Sequence, residues 1–241
     1  MLQQTNLNAI KELACAFLHM DFRQDDQLPF AVYHPFTNVN IIYNAQTKSI
    51  MQIFADDGKI IKSSVAIFYE EINHMIEASE NYMQIFTRIE KPYKSAFLYY
   101  SLESIDRYDL GKALKDLWLS CDYVNVDKQI DKDLYSKLFQ QADKYTLMND
   151  LERNVFNNMP EYLTVYRGIN KTTNHPIDGM SWTLDIEQAK WFAERFAHND
   201  GYIYSLRVPK KDILAYFAHE KEYVIDYNYL KRHKKDIIKI E

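Results

Sequence analysis

Two carboxylates separated by one residue, Glu220 and Glu222, stand directly before an apolar β-type run, Tyr223-Val224-Ile225. On an extended strand that spacing projects both acids from one face, about 6.6 Å apart. Like charges so close repel, so one of them protonates more readily than usual unless cations or hydroxyls balance the pair. Upstream, Ser181-Trp182-Thr183 places two hydroxyls on one strand face by the same alternation. Further upstream still, Arg167 in Tyr166-Arg167-Gly168 carries a guanidinium able to make two parallel charge-assisted hydrogen bonds to a phosphate. Each motif by itself is also what an ordinary strand end or solvated surface carries; Glu-Lys-Glu is a common surface tripeptide. Gly179-Met180-Ser181 resembles half of a nucleophile elbow, but Thr183 occupies the place of its second glycine, which argues against a serine hydrolase.

These residues need strands and a helix to hold them. Leu163–Arg167 and Met180–Thr183 read as strands, and Asp185 with Gln188 three residues on reads as the N-cap of a helix through Phe196. Ala189, Phe192, Ala193 and Phe196 line its inner face. Tyr202–Val208 and Glu222–Asp226 are the last strands, joined by a turn over 213–219. Earlier in the chain, the three- and four-residue steps of Leu7, Ile10, Leu13, Ala14, Phe17 and Leu18 predict a helix. The runs 39–43 and 49–54 predict a hairpin, with a third short strand through Ile60 and Ile61 after the Asp56-Asp57-Gly58 turn. A long helix follows from Ser64 to a stop at Pro92, then helices over 110–119 and 132–142, the latter capped by Asp131. The division this suggests is an N-terminal helix, hairpin and long helix of unknown role over 1–100, and a second domain over 101–241.

Composition narrows the chemistry. At 241 residues with 47% hydrophobic content, the chain can bury a substantial core. No run of eighteen apolar residues occurs and the first ten residues are polar, so the expectation is a soluble, cytoplasmic protein without a membrane span. Cys15 and Cys121 fit no redox or metal spacing, and the seven histidines form no ligand cluster, so no metal is expected. The five glycines are too dispersed for a phosphate-cradling loop or a dinucleotide fingerprint. A formal charge of −5 argues against nucleic-acid binding through the overall field, while Lys231, Arg232, Lys234, Lys235 and Lys239 concentrate positive charge near the carboxyl end, read first as a solvated face and second as a docking surface.

Taken in order, Tyr166-Arg167-Gly168, Ser181-Trp182-Thr183 and Glu220-Lys221-Glu222 resemble the signature of the arginine-serine-glutamate class of ADP-ribosyltransferases, found in bacterial toxins, bacteriophages and vertebrate ecto-enzymes. The motifs span 163–226, about a quarter of the chain. The resemblance implies an α+β fold, with an ADP-ribosyltransferase-like core of two packed β-sheets behind a helical lobe, preceded here by an N-terminal α/β extension. It implies NAD as co-substrate, held by Arg167, Gly168, Ser181, Thr183 and Glu222, with no metal. Glu222 matches the acid that binds the nicotinamide ribose and favours the cation formed as nicotinamide leaves, because a fixed negative charge lies where positive charge develops. Glu220 matches the residue that orients or deprotonates the acceptor, and a glutamate there goes with protein arginine. RNA or DNA as acceptor, water as acceptor in an NAD glycohydrolase, and a catalytically idle partner-binding scaffold are the alternatives. By analogy the resemblance also suggests an intracellular toxin or anti-phage effector held by a neutralising antitoxin protein. Tyr216 and Phe217 precede the acids where relatives carry an exposed turn aromatic, although core packing is the default for either ring; Trp182 and Trp191 are expected to pack.

Overall fold

The computed structural model describes residues 2–44, 47–120, 129–170, 177–195 and 201–240. Cys121 and Phe196 lie outside them. The chain forms two compact units, 1–129 and 130–241. The boundary expected near residue 100 falls within the helix Lys91–Ser101 of the first unit.

The first unit opens with α1 (Leu7–Leu18), whose Asn6 side chain caps the Ala9 amide and whose buried face is Ile10, Ala14, Phe17 and Leu18. Thr5 ties its start to the far end of the unit, donating from Oγ1 to Asp109 at 2.6 Å and accepting from the Asp106 amide at 3.1 Å. Strands β1 (Arg23–Gln24), β2 (Ala31–His34) and β3 (Thr37–Val39) form a small antiparallel sheet. The hairpin follows as β4 (Ile41–Asn44) and β5 (Ser49–Gln52), with Tyr43 opposite Ile50. The expected third strand is reduced to one bridge between Phe54 and Ile60.

The long helix expected to end at Pro92 is instead three. α2 (Lys62–Ala78) stops where Ser79 turns extended and its hydroxyl donates back to the Met75 carbonyl at 2.9 Å. Asn81 then caps α3 (Tyr82–Phe86) through the Gln84 amide. Pro92 lies in the first turn of α4 (Lys91–Ser101), where its missing N–H has no partner to lose. It starts a helix rather than stopping one. α5 (Arg107–Ser120) completes the unit. The core is aromatic: Phe17 meets Phe97 edge-on at 5.1 Å, and Phe22 stacks on the buried His34 ring at 4.1 Å.

The second unit begins with α6 (Lys132–Gln141), capped by Asp131, then α7 (Lys144–Leu147) and α8 (Asp150–Asn157). Strand β6 (Tyr162–Asn170) is followed by β7 (Ser181–Thr183), α9 (Ile186–Glu194), β8 (Gly201–Pro209), β9 (Ile213–Phe217), β10 (Glu222–Ile225), α10 (Tyr227–Arg232) and β11 (Ile238–Ile240). Two packed sheets were expected; the described strands of this unit form one antiparallel six-stranded sheet, ordered β11-β8-β6-β7-β10-β9. The chain is thus of mixed α and β structure. α9 packs onto β6 and β8 at two glycines, because a Cβ on Gly168 would stand 1.9 Å from the Ala189 carbonyl oxygen and one on Gly201 2.1 Å from that of Ala193. Only bare backbone fits there. The basic carboxyl end is part of this unit: β11 pairs with β8, Lys231 bonds Asp133, and the Lys239 ammonium lies 3.5 Å from the centre of the Tyr202 ring. Among the described residues no helix is long and apolar enough to cross a membrane.

Candidate active site

Strands β6, β7 and β10 bring the three motifs together. Thr183 is the register point, lying opposite Tyr166 on one side and Glu222 on the other. Directly opposed residues share a face, and alternation adds Ser181, so Ser181, Thr183 and Glu222 project from the same side of the sheet. Pairing between β6 and β7 stops at Tyr166, while β6 continues to pair with β8 as far as Asn170. The strands part beyond that point. Arg167 spans the gap, donating from Nη1 to the Ser181 carbonyl at 2.6 Å.

The guanidinium is held from several directions. Gly179 lies against it so closely that a Cβ there would stand 2.2 Å from Nη2. Gly179 is itself fixed, since its carbonyl accepts from the buried Trp182 indole at 2.7 Å. Burial pushes the Arg167 pKa down to about 10, opposed by the charges of Glu222 and Asp178, which both favour the cation. At neutral pH the arginine remains charged, in the field of the Glu222 carboxylate, which is only 7% exposed. Arg167 Nε is buried without a hydrogen-bond partner among the described residues. A buried N–H of a cation with no acceptor is costly in a finished core and useful where an anionic ligand arrives.

Asp178 was not singled out from the sequence. It resists the upward pull of its own burial because Lys132 bonds it and Lys234 lies near, leaving its pKa below the usual value. Lys132 Nζ meets Asp178 Oδ1 at 2.7 Å and Lys234 Nζ lies 3.6 Å from Oδ2. This anchors the segment carrying Gly179 to α6 and to the carboxyl end. Nothing local in the sequence marks it; residues 132, 178 and 234 meet only through the fold.

Glu220 departs from the expected geometry. It lies in the turn 218–221 between β9 and β10, and Lys221 has a left-handed φ of 51°. A left-handed residue between the two acids breaks strand alternation, so they are not a same-face strand pair. The turn is braced from both ends. The Ala218 amide donates to Glu152 Oε1 at 3.2 Å, and Lys221 Nζ meets Asp185 Oδ2 at 2.7 Å. Glu152 is buried in the capping box of α8, whose signal in the sequence is Asn149-Asp150-Leu151-Glu152.

Several other expectations resolve differently. Thr183 is buried, and its hydroxyl accepts from the Asp185 amide at 3.1 Å, supporting the start of α9. Gly168 is required by helix packing against Ala189 rather than by a turn. Tyr216 and Phe217 belong to β9 and not to a turn: Phe217 is buried, and Tyr216 packs on Tyr223 at 4.8 Å. Trp182 packs as expected, whereas Trp191 is half exposed, with Arg195 5.0 Å from its ring centre. Among the described residues no group of three His, Cys, Asp or Glu is arranged to hold a metal.

No protein-family model matches this chain, and comparison with curated proteins and with solved structures gives no match. The site itself comprises a half-buried, charged arginine beside a hydroxyl-bearing strand, a buried glutamate on the adjoining strand, and a braced turn carrying a second glutamate.

Proposed function

We propose that this chain is an NAD-dependent mono-ADP-ribosyltransferase, which cleaves the nicotinamide–ribose bond and transfers ADP-ribose to a macromolecular acceptor, protein arginine being favoured. The observation that carries the reading is Arg167. Its guanidinium fills the gap between β6 and β7, bonds the Ser181 carbonyl, feels the Glu222 charge, and keeps a buried Nε–H without an acceptor. That donor set suits a phosphate of NAD, which a chain without a glycine-rich loop must hold by side chains.

In this reading Arg167 binds the anionic part of NAD, steadied by its bond to the Ser181 carbonyl. Glu222 presents a buried carboxylate to the ribose as the C–N bond breaks and its electron pair leaves with nicotinamide. The acceptor nitrogen then forms the new bond to the ribose carbon. Glu220, on the turn, takes the proton that nitrogen loses. The proposed setting is the cytoplasm, with a toxin or anti-phage role and a neutralising protein partner resting on analogy alone.

The cations of the carboxyl end weigh against RNA or DNA as acceptor. Lys231 bonds Asp133, Lys234 lies 3.6 Å from Asp178 and Arg232 3.9 Å from Asp212, so much of that charge is balanced within the fold. The direct test is nicotinamide release with purified protein. Glu222→Gln should abolish it, whereas Glu220→Gln should retain slow NAD hydrolysis and lose transfer to protein arginine. Wild-type nicotinamide release by Glu222→Gln would end the proposal.

A further inference from the structure

The β4–β5 hairpin of the first unit turns apolar side chains outward. Tyr43 lies opposite Ile50 and Ile41 opposite Gln52, so strand alternation puts these four on one face. That face is open, with Ile41 52%, Tyr43 56% and Ile50 73% exposed. The opposite face holds the buried Asn44 and the half-buried Ile42 and Met51. A two-faced antiparallel sheet ordinarily shows polar residues to water, and exposed apolar patches mark interaction surfaces. The Tyr43–Ile50 pair favours hairpin formation, but Ile41 faces Gln52 and gains no such apolar partner across the strands.

The apolar face runs into a concavity. A cavity of about 660 Å³ is lined by Ile41 and Gln52 from the hairpin and by Pro29 and Phe30 from the preceding loop, where Phe30 is 66% exposed. The loop is held in place: the Asn40 amide donates to the Phe30 carbonyl at 2.8 Å, and the Asp25 carboxylate accepts from the Gln27 and Leu28 amides at 2.8 and 2.9 Å. A surface fixed before binding loses little freedom when a partner arrives. The charged residues lining the cavity are Asp25, Asp26 and Asp56. The neighbouring cations are engaged elsewhere. Arg23 lies 4.9 Å from the centre of the Tyr33 ring and in the field of Asp25, and Lys59 meets Asp57 at 2.6 Å. The exposed side chains of Asp26 and Asp56 form no ion pair or hydrogen bond among the described residues. At the turn end of the hairpin the charge is the opposite one, that of Lys48.

We propose that this face docks a segment of a partner protein in which apolar side chains adjoin lysine or arginine. The apolar side chains cover Phe30, Ile41, Tyr43 and Ile50, and the cations lie over Asp26 and Asp56. The apolar strand face supplies area, and the acids at one end select a basic chain and set its direction. The same acids repel an anionic lipid surface.

The probe is a displayed library of random dodecapeptides selected on the full-length protein. The expected winners combine apolar residues with lysine or arginine, bind one per chain, and shift amide signals only within 24–30, 40–43 and 50–58. Ile41→Thr/Ile50→Thr keeps β-branched residues on the strands and removes exposed apolar surface, so a selected peptide should bind about ten-fold more weakly. Asp26→Asn/Asp56→Asn keeps shape and removes two charges, with a loss of similar size that shrinks in high salt. All four substituted side chains are exposed, and an unchanged melting temperature shows that each variant is folded. Failure to select any peptide, winners without basic residues, undiminished binding by either variant, or shifts elsewhere would each overturn the proposal. So would a dimer in sedimentation that Ile41→Thr/Ile50→Thr dissociates, because a second copy would then occupy the face. None of these outcomes depends on NAD cleavage.

Discussion

Adding one methyl group beneath the arginine, Gly179→Ala, separates the role of Arg167 from the stability of the fold. A Cβ at position 179 would stand 2.2 Å from Nη2 and 2.5 Å from Cζ of Arg167, whereas ordinary contacts begin near 3.4 Å. The guanidinium must retreat by roughly 1 Å, and the 2.6 Å bond to the Ser181 carbonyl stretches or breaks with it. The obstructing atoms are the end of a flexible side chain, so the stability cost is that of one hydrogen bond, about 1 kcal/mol. A misplacement of about 1 Å in a substrate-positioning group costs on the order of 100-fold in rate, or about 2.7 kcal/mol of barrier. Gly168→Ala is the control, since its Cβ would meet the backbone oxygen of Ala189 at 1.9 Å and a helix or strand must move. It should destabilise by about 3 kcal/mol, as overpacking a well-packed site does. The assay pairs urea denaturation with nicotinamide release measured below each variant's unfolding transition. Near-wild-type stability with release reduced about 100-fold is expected for Gly179→Ala. Full release by this variant would refute the view that the guanidinium must occupy its observed place.

Stability of the first unit should depend on pH through His34. Its Nε2–H donates to the Leu18 carbonyl at 3.0 Å, its Nδ1 accepts from the Phe36 amide at 3.2 Å, and burial pushes its pKa from 6.5 down to about 4. The folded state therefore prefers the neutral ring: stability is intact above pH 6.5, falls as the unfolded chain alone takes up the proton between 6.5 and about 4, and loses nothing more from this group below that. The loss is roughly 3 kcal/mol. Urea titrations of wild type and His34→Gln across this range should differ in slope by that amount, and parallel curves would rule it out. Glu152→Ala removes the acceptor of the Ala218 amide and half of the α8 capping box, so denaturation should show a loss of about 2 kcal/mol. Because the turn carrying Glu220 is then less braced, transfer to protein should fall more than NAD hydrolysis does; an equal fall in both would count against the brace.

Much of the second unit was legible in the sequence because it is written in local periodicity. Strand alternation placed β6, β7, β8 and β10, the Asp185 N-cap announced α9, and Ser181 and Thr183 were assigned to one face from spacing alone. Where local signals competed, the reading failed. Pro92 can stop a helix or begin one, and only the packing of α4 chooses; Tyr216 and Phe217 could equally border a turn or lie within a strand. The separation of Glu220 from the strand pair turned on a single left-handed residue, Lys221, an uncommon conformation that nothing in a Glu-Lys-Glu tripeptide specifies.

The amino-acid sequence by itself determined which side chains could grip a phosphate or oppose a growing positive charge, and the strands that carry them. Tertiary structure alone decided that Arg167 would fill the space between two parting strands, with Gly179 against its head group and the charges of Glu222 and Asp178 around it. The reason is physical: hydrogen-bond periodicity is a short-range property encoded over a few residues, whereas the burial and field acting on a charge are sums over groups that the chain brings together from dozens of positions apart.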